Sequence, residues 1–257
     1  MTTFVSTDWI AERIDSSEIL LLDPRRPMRY MQGHLKGAVN LPAFRAFNAQ
    51  GALLSAEELV RWIGAAGLDD TKTPVIYDSP EGQNGAMIGW ILEYLGRTDA
   101  HILDVFYERW VAEKREVFYK PVEATPRTFT ARVNARVRVT LDELRGKPSV
   151  KLIDFRSQDE YIGKRDMDGK PGHLPGAVNI VWKDLNGPSQ AVLSPAATIE
   201  QMIAATGIQR SDQTVAYCRS GLRAALGYLA LQQAGYNVRL YDGSYAEWVR
   251  NGMPVEV

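Results

Sequence analysis

The strongest constraint on what this chain can fold into is that its two halves repeat each other. Leu21-Leu22-Asp23-Pro24-Arg25, followed by Gly33-His34-Leu35-Lys36-Gly37-Ala38-Val39-Asn40, returns as Leu152-Ile153-Asp154-Phe155-Arg156, followed by Gly172-His173-Leu174-Pro175-Gly176-Ala177-Val178-Asn179. Val75-Ile76-Tyr77-Asp78 then matches Val215-Ala216-Tyr217-Cys218, and Tyr107-Glu108-Arg109-Trp110 matches Tyr245-Ala246-Glu247-Trp248. Matched blocks in the same order, at a nearly constant offset, mean a duplicated domain. A chain of 257 residues accommodates two domains of ordinary size.

Within each copy, short apolar runs alternate with amphipathic helical patterns, the α/β signature of a central parallel sheet flanked by helices. Ser55 to Glu58, Thr140 to Glu143 and Thr198 to Gln201 have capping-box spacing and predict helix starts. Gly96 and Gly235 follow helical runs at corresponding places, where a left-handed C-terminal residue is wanted. Lys120-Pro121-Val122-Glu123-Ala124-Thr125-Pro126-Arg127-Thr128 is polar and proline-punctuated, and reads as a linker running on into an extended arm. The expected division is an N-terminal domain over 1–118, a linker over 119–135 and a C-terminal domain over 136–257.

Charge excludes several function classes. Lysine and arginine total 30 against 31 for aspartate and glutamate, so no global field draws nucleic acid or an acidic membrane surface. The N-terminal residues lack a basic segment followed by an apolar core, and no run reads as a bilayer span, so the expected location is cytoplasmic. A lone cysteine forms no internal disulfide, and three scattered histidines offer no zinc site. Neither a metal nor any other cofactor is expected.

That cysteine is where chemistry is expected. Cys218 ends the apolar run Thr214-Val215-Ala216-Tyr217 and opens Cys218-Arg219-Ser220-Gly221-Leu222-Arg223, after which a helical pattern begins. The free amides and positive dipole end of a following helix stabilise a thiolate, and two arginines push the same way. The competing reading, a buried cysteine acting as a small hydrophobe, fits this polar, glycine-containing setting poorly. Gly221 is read as permitting a tight turn or the close approach of an amide. Ser220 either donates to substrate or hydrogen-bonds within the loop. His34 and His173 are read as structural, because both copies have the Gly-His block and only one has a thiol.

Four residues separate Cys218 from Arg223, one fewer than in the loop with which cysteine phosphatases wrap a tetrahedral phosphate. A shorter ring of amides suits a smaller anionic atom such as the outer sulfur of a persulfide. The repeated Gly-His-x-x-Gly-Ala-Val-Asn block, the Cys-Arg-Ser-Gly-Leu-Arg loop and Tyr241-Asp242-Gly243-Ser244-Tyr245-Ala246-Glu247-Trp248 together resemble the tandem-domain rhodanese family of sulfurtransferases over nearly the whole chain. That resemblance implies two rhodanese-like α/β domains, the second catalytic and the first inactive, with Asp78 at the cysteine position. It also implies a two-step transfer in which Cys218 takes a sulfane sulfur from a small donor and passes it to an external acceptor: cyanide, a thiol or a dithiol protein.

By the same resemblance, Arg156 binds the donor's anionic end, and Arg219, Ser220, Gly221, Leu222 and Arg223 form the rest of the donor site. For Arg156 the competing reading is a buried partner of Asp154, since Arg25 stands at the same place in the inactive copy. Two cationic loop side chains complement dianionic thiosulfate better than monoanionic 3-mercaptopyruvate, so thiosulfate ranks first and 3-mercaptopyruvate second. A non-catalytic binding module and a phosphatase are the readings of other classes.

Overall fold

Each copy of the repeat builds its own parallel sheet. The computed structural model describes residues 2–145 and 150–257, which divide by their contacts into two units. In the first, strands β1 (Thr3–Val5), β2 (Ile19–Asp23), β3 (Val39–Asn40), β4 (Thr73–Ile76) and β5 (His101–Leu103) lie in the order β1-β5-β4-β2-β3, every pair parallel. Helices α1 (Thr7–Arg13), α2 (Pro27–Met31), α3 (Ala56–Ala65), α4 (Gln83–Tyr94) and α5 (Tyr107–Ala112) connect them. The second unit has β6 (Lys151–Asp154), β7 (Val178–Asn179), β8 (Thr214–Tyr217) and β9 (Val238–Leu240) in the parallel order β7-β6-β8-β9. Its helices are α6 (Leu141–Arg145), α7 (Gln158–Tyr161), α8 (Ala196–Ala204), α9 (Leu222–Gln233) and α10 (Ser244–Arg250). The edge that β1 occupies in the first sheet is here a single parallel bridge, Arg138 to Leu240.

Two sequence boundaries differ from the contact-based ones. The segment expected to link the domains lies with the first unit as far as Asn134. It is pinned there by backbone hydrogen bonds from Arg127 to Gly64, Arg132 to Leu95 and Asn134 to Tyr94, and by Thr130 to the Asp70 carboxylate. Residues Pro188–Val192 also group with that unit, because Val192 and Phe106 complete a short pairing between the end of β5 and this segment.

The capping boxes at Ser55–Glu58 and Thr140–Glu143 form. Thr198 does not start a helix. Pro195, with φ −51° and ψ 143°, turns the chain into α8 two residues earlier, and the Thr198 amide donates to the Pro195 carbonyl. Gly96 and Gly235 both close their helices with positive φ, and the paired 6→1 and 5→2 bonds expected of that stop are present in both units.

The repeated motif is a buried polar knot built twice. In the first unit Arg25 bonds Asp23 bidentately and the Gly33 carbonyl, Tyr77 Oη donates to Asp23, and Asn40 Nδ2 donates to the carbonyls of Asp23 and Arg25. In the second, Arg156 bonds Asp154 and the Gly172 carbonyl, and Asn179 donates to the carbonyls of Asp154 and Arg156. His34 and His173 stack on Tyr30 and Tyr161 at 3.9 and 3.8 Å, and their amides donate to the carbonyls of Phe118 and Glu256. Identical packing in both units is what a structural role for these histidines requires.

Helix α9 carries the site and is apolar around most of its circumference, with residues Ala224 to Leu231 all buried. It lies close to the sheet because Gly227 has no side chain: a Cβ there would collide with the ring of Phe155, which is fully buried. Gly227→Ala is therefore expected to overpack the second unit and destabilise it by roughly 1–3 kcal/mol, read as a lowered midpoint in thermal or urea unfolding. Stability equal to that of the wild-type chain would show that Phe155 can move aside at no cost.

Candidate active site at the end of β8

Four buried residues, Thr214 to Tyr217, form the central strand β8, paired on both sides and covered on both faces. Its register sets Tyr217 opposite Asp154, so the next residue, Cys218, leaves the sheet at its carboxyl end. Gly221, at φ 89° and ψ −36°, then turns the chain into α9, a conformation strained for any residue with a Cβ. The loop is braced from α10. The Cys218 amide donates to Ser244 Oγ, Ser244 Oγ donates to the Tyr241 carbonyl, and the amides of Tyr245 and Ala246 donate to the carbonyls of Cys218 and Arg219.

Cys218 is free and only 1% exposed. No side chain caps α9, and among the described residues the amides of Arg219 through Ala224 have no acceptor within the protein. The first unit shows what such a loop does with an anion. Asp78, at the matching strand end, accepts from the amides of Ser79, Asn84 and Gly85, the last two being the second and third residues of α4. The counterparts in α9 are Arg223 and Ala224. Burial pushes the Asp78 carboxyl up to about 6, although the amides of Gly85 and Ser79 favour its charged form.

Both loop arginines already have carboxylate partners. Arg223 makes two bonds to Glu160, at 2.7 and 2.9 Å, and its guanidinium lies 4.9 Å from the ring centre of half-buried Trp182. Burial works against the charge on Arg223, but the hydrogen bonds it donates to Glu160 and its electrostatic attraction to the surrounding groups, Glu160 and Asp154 among them, outweigh it and hold the group above its usual pKa. Burial likewise opposes ionisation of Glu160, yet Arg223 and Ser157 bring it down to about 2. Arg219 bonds both carboxylate oxygens of Asp168, at 2.9–3.2 Å.

Arg156 stands apart from this group. It is 3% exposed, its guanidinium is committed to Asp154 and Gly172, and it lies 3.8 Å from the centre of the Tyr245 ring. Ser220 and Leu222 are half-buried, and the Ser220 hydroxyl has no partner within the protein among the described residues. No group of acidic, histidine or cysteine side chains there could hold a metal ion, and no helix among them is long and apolar enough to cross a membrane.

A family model described as "Rhodanese-like domain" matches this chain twice, over residues 6–113 and 138–251. The chain belongs to the rhodanese-like family. A thiosulfate sulfurtransferase of Pseudomonas aeruginosa is 29% identical over 96% of this chain and 94% of its own length. A probable 3-mercaptopyruvate sulfurtransferase of the same organism is 28% identical over 93% of this chain and 92% of its own. Among solved structures, SseA from Escherichia coli, whose rhodanese fold is described for 3-mercaptopyruvate sulfotransferases, superposes with a TM-score of 0.86 at 25% identity, covering 95% of this chain and 99% of that one. In class, this tandem rhodanese is a sulfurtransferase.

Sequence reasoning missed three residues that shape the rhodanese loop, Glu160, Asp168 and Trp182, and gave no role to Ser244, which lies in the Tyr241–Trp248 segment it singled out. For Glu160 a signal was present, since Ser157 to Glu160 has capping-box spacing and forms one. Its second bond, to Arg223, crosses 63 positions and has no local signature.

Proposed function

We propose that Cys218 carries a sulfane sulfur, as a persulfide, from thiosulfate to an external acceptor. The Cys218 thiolate attacks the outer sulfur of thiosulfate. A new sulfur–sulfur bond forms at Sγ, the sulfur–sulfur bond of thiosulfate breaks, and its electron pair leaves on sulfite. A nucleophile such as cyanide or a thiolate then attacks the outer sulfur of the persulfide, and the electron pair of the breaking bond returns to Cys218. With one cysteine in the chain there is no resolving thiol, so the second step needs an outside acceptor.

The observation that carries this reading is the comparison of the two loops. Asp78 marks where the repeat holds a negative group, against the second and third amides of the helix that follows the strand. Cys218 stands at the same strand end, before the same amides of α9, and a terminal sulfur on Sγ is the anion that fits them. Arg223 adds a fixed positive charge, and Ser220 a hydroxyl able to donate to the donor. Arg156 we assign to the buried knot with Asp154 rather than to the donor, since Arg25 makes the same bonds where there is no thiol.

The donor rests on two considerations. Relatives matching nearly the whole chain are named thiosulfate sulfurtransferases, and the loop carries two cations. Favouring 3-mercaptopyruvate as the second reading, both cations are countered by Glu160 and Asp168, which lessens the pull on a dianion. Turnover of the two donors with cyanide as acceptor decides between them. Thiosulfate is expected to give the larger kcat/KM, and a larger value for 3-mercaptopyruvate would reverse the order.

A further inference from the structure

Of the two guanidiniums in the loop, that of Arg219 is the more exposed, its partner Asp168 being 13% exposed. Glu160 and Arg223 are 5% and 16% exposed, and Glu160 is also tied to Ser157, so that pair is a fixed part of the loop. Arg219, the residue directly after the nucleophile, is 38% exposed, and Asp168 reaches it from an otherwise exposed turn over residues 166–169. That turn does not depend on the ion pair for its shape. Asp166 Oδ1 accepts the amides of Asp168 and Gly169, Lys170 Nζ donates to the Met253 carbonyl, and Tyr245 Oη donates to the Lys170 carbonyl. The flanking residues Lys164, Arg165, Asp166 and Met167 all face solvent, and Asp168 alone turns inward to bond the loop.

We propose that Asp168 is a specificity-determining residue: its carboxylate occupies the Arg219 fork, so that an anionic donor gains that guanidinium only by exchanging with Asp168. This rests on the sulfur-transfer reading above and adds a determinant of donor charge. A partly exposed ion pair is weak enough to be displaced by a competing anion, and a planar fork suits sulfonate or carboxylate oxygens as well as it suits Asp168. The device discriminates by charge. A neutral reagent reaching Cys218 has no use for Arg219, whereas an anion must compete for it.

The full chain's single cysteine makes the test direct, because alkylation read by intact mass reports Cys218 alone. Iodoacetate supplies an anion of the donor's kind, and iodoacetamide is its neutral counterpart. Asp168→Asn is expected to raise the ratio of the iodoacetate to the iodoacetamide rate about threefold or more, on the scale of one partly exposed ion pair, with Asp168→Glu restoring the wild-type ratio. Asp168→Ser gives the same reading should Asp168→Asn not fold. In the transfer assay the variant's KM for thiosulfate is expected to fall with kcat little changed. An unaltered ratio overturns the proposal. So does an equal rise in both rates, which would mean that Asp168 merely shields the thiol. A shifted ratio in a chain that takes up no sulfur from thiosulfate would leave the charge gate standing and sink the donor reading instead.

Discussion

Replacing Cys218 by serine is expected to abolish sulfur loading: after incubation with thiosulfate the wild-type chain should gain the mass of one sulfur atom, and Cys218→Ser should gain none. Turnover to thiocyanate is expected to fall on the order of a thousandfold or more, as when an enzyme loses its nucleophile. The substitution is well suited to separating chemistry from folding. What fixes Cys218 in place is its backbone, whose amide donates to Ser244 and whose carbonyl accepts from Tyr245, and serine preserves both bonds. Serine is also close in size to cysteine, so the buried site is neither emptied nor crowded. The unfolding midpoint of Cys218→Ser should lie within a degree or two of the wild type, at the small-change end of single substitutions. A sulfur adduct surviving in the variant would remove Cys218 from the mechanism. A large loss of stability would mean that the thiol is packing rather than reacting.

The comparison of the two units also explains how much of this molecule could be read from its sequence. The Asp-x-Arg and Gly-His-x-x-Gly-Ala-Val-Asn blocks were legible because the polar knot they form is local to one sheet and is built twice, so its residues repeat together. The same duplication exposed Asp78 against Cys218, since a loop that changes while its scaffold stays constant is where the two copies differ in chemistry. The carboxylate partners of Arg219 and Arg223 were not legible, because charge complementarity between loops leaves no periodicity. Glu160 reaches Arg223 across 63 positions and Asp168 reaches Arg219 across 51, from elements whose own sequence speaks only of a helix cap and a turn. The helix start expected at Thr198 failed for a local reason: a proline three residues earlier settled the backbone first.

Glu160→Ala is expected to be the most damaging change to stability near the site. It leaves the Arg223 guanidinium, only 16% exposed, without the carboxylate that holds it, and breaking one side of such a buried pair costs about 3–5 kcal/mol. It also removes the bonds that Glu160 makes to Ser157 at the start of α7. The protonation of Glu160 supplies a second measure of the same interaction. Its carboxyl is lowered from 4.5 in the unfolded chain to about 2 in the folded one. A depressed folded value means that the folded state binds the proton less tightly, so the stabilisation is complete above pH 4.5 and is lost as the pH falls through about 2. The size of that loss is about 3 kcal/mol, in line with the cost of breaking the pair. Asp78 acts in the opposite sense: raised from 3.8 to about 6, it weighs against the folded state above pH 6 and relents as the pH falls towards 4. The informative quantity is therefore the difference between the wild-type chain and Glu160→Ala, in which the Asp78 contribution cancels. That difference, measured by urea unfolding at a series of pH values, should be largest at neutral pH and shrink steadily below pH 4.5. A difference that does not change with pH would mean that Glu160 acts through packing alone and does not hold Arg223 by charge.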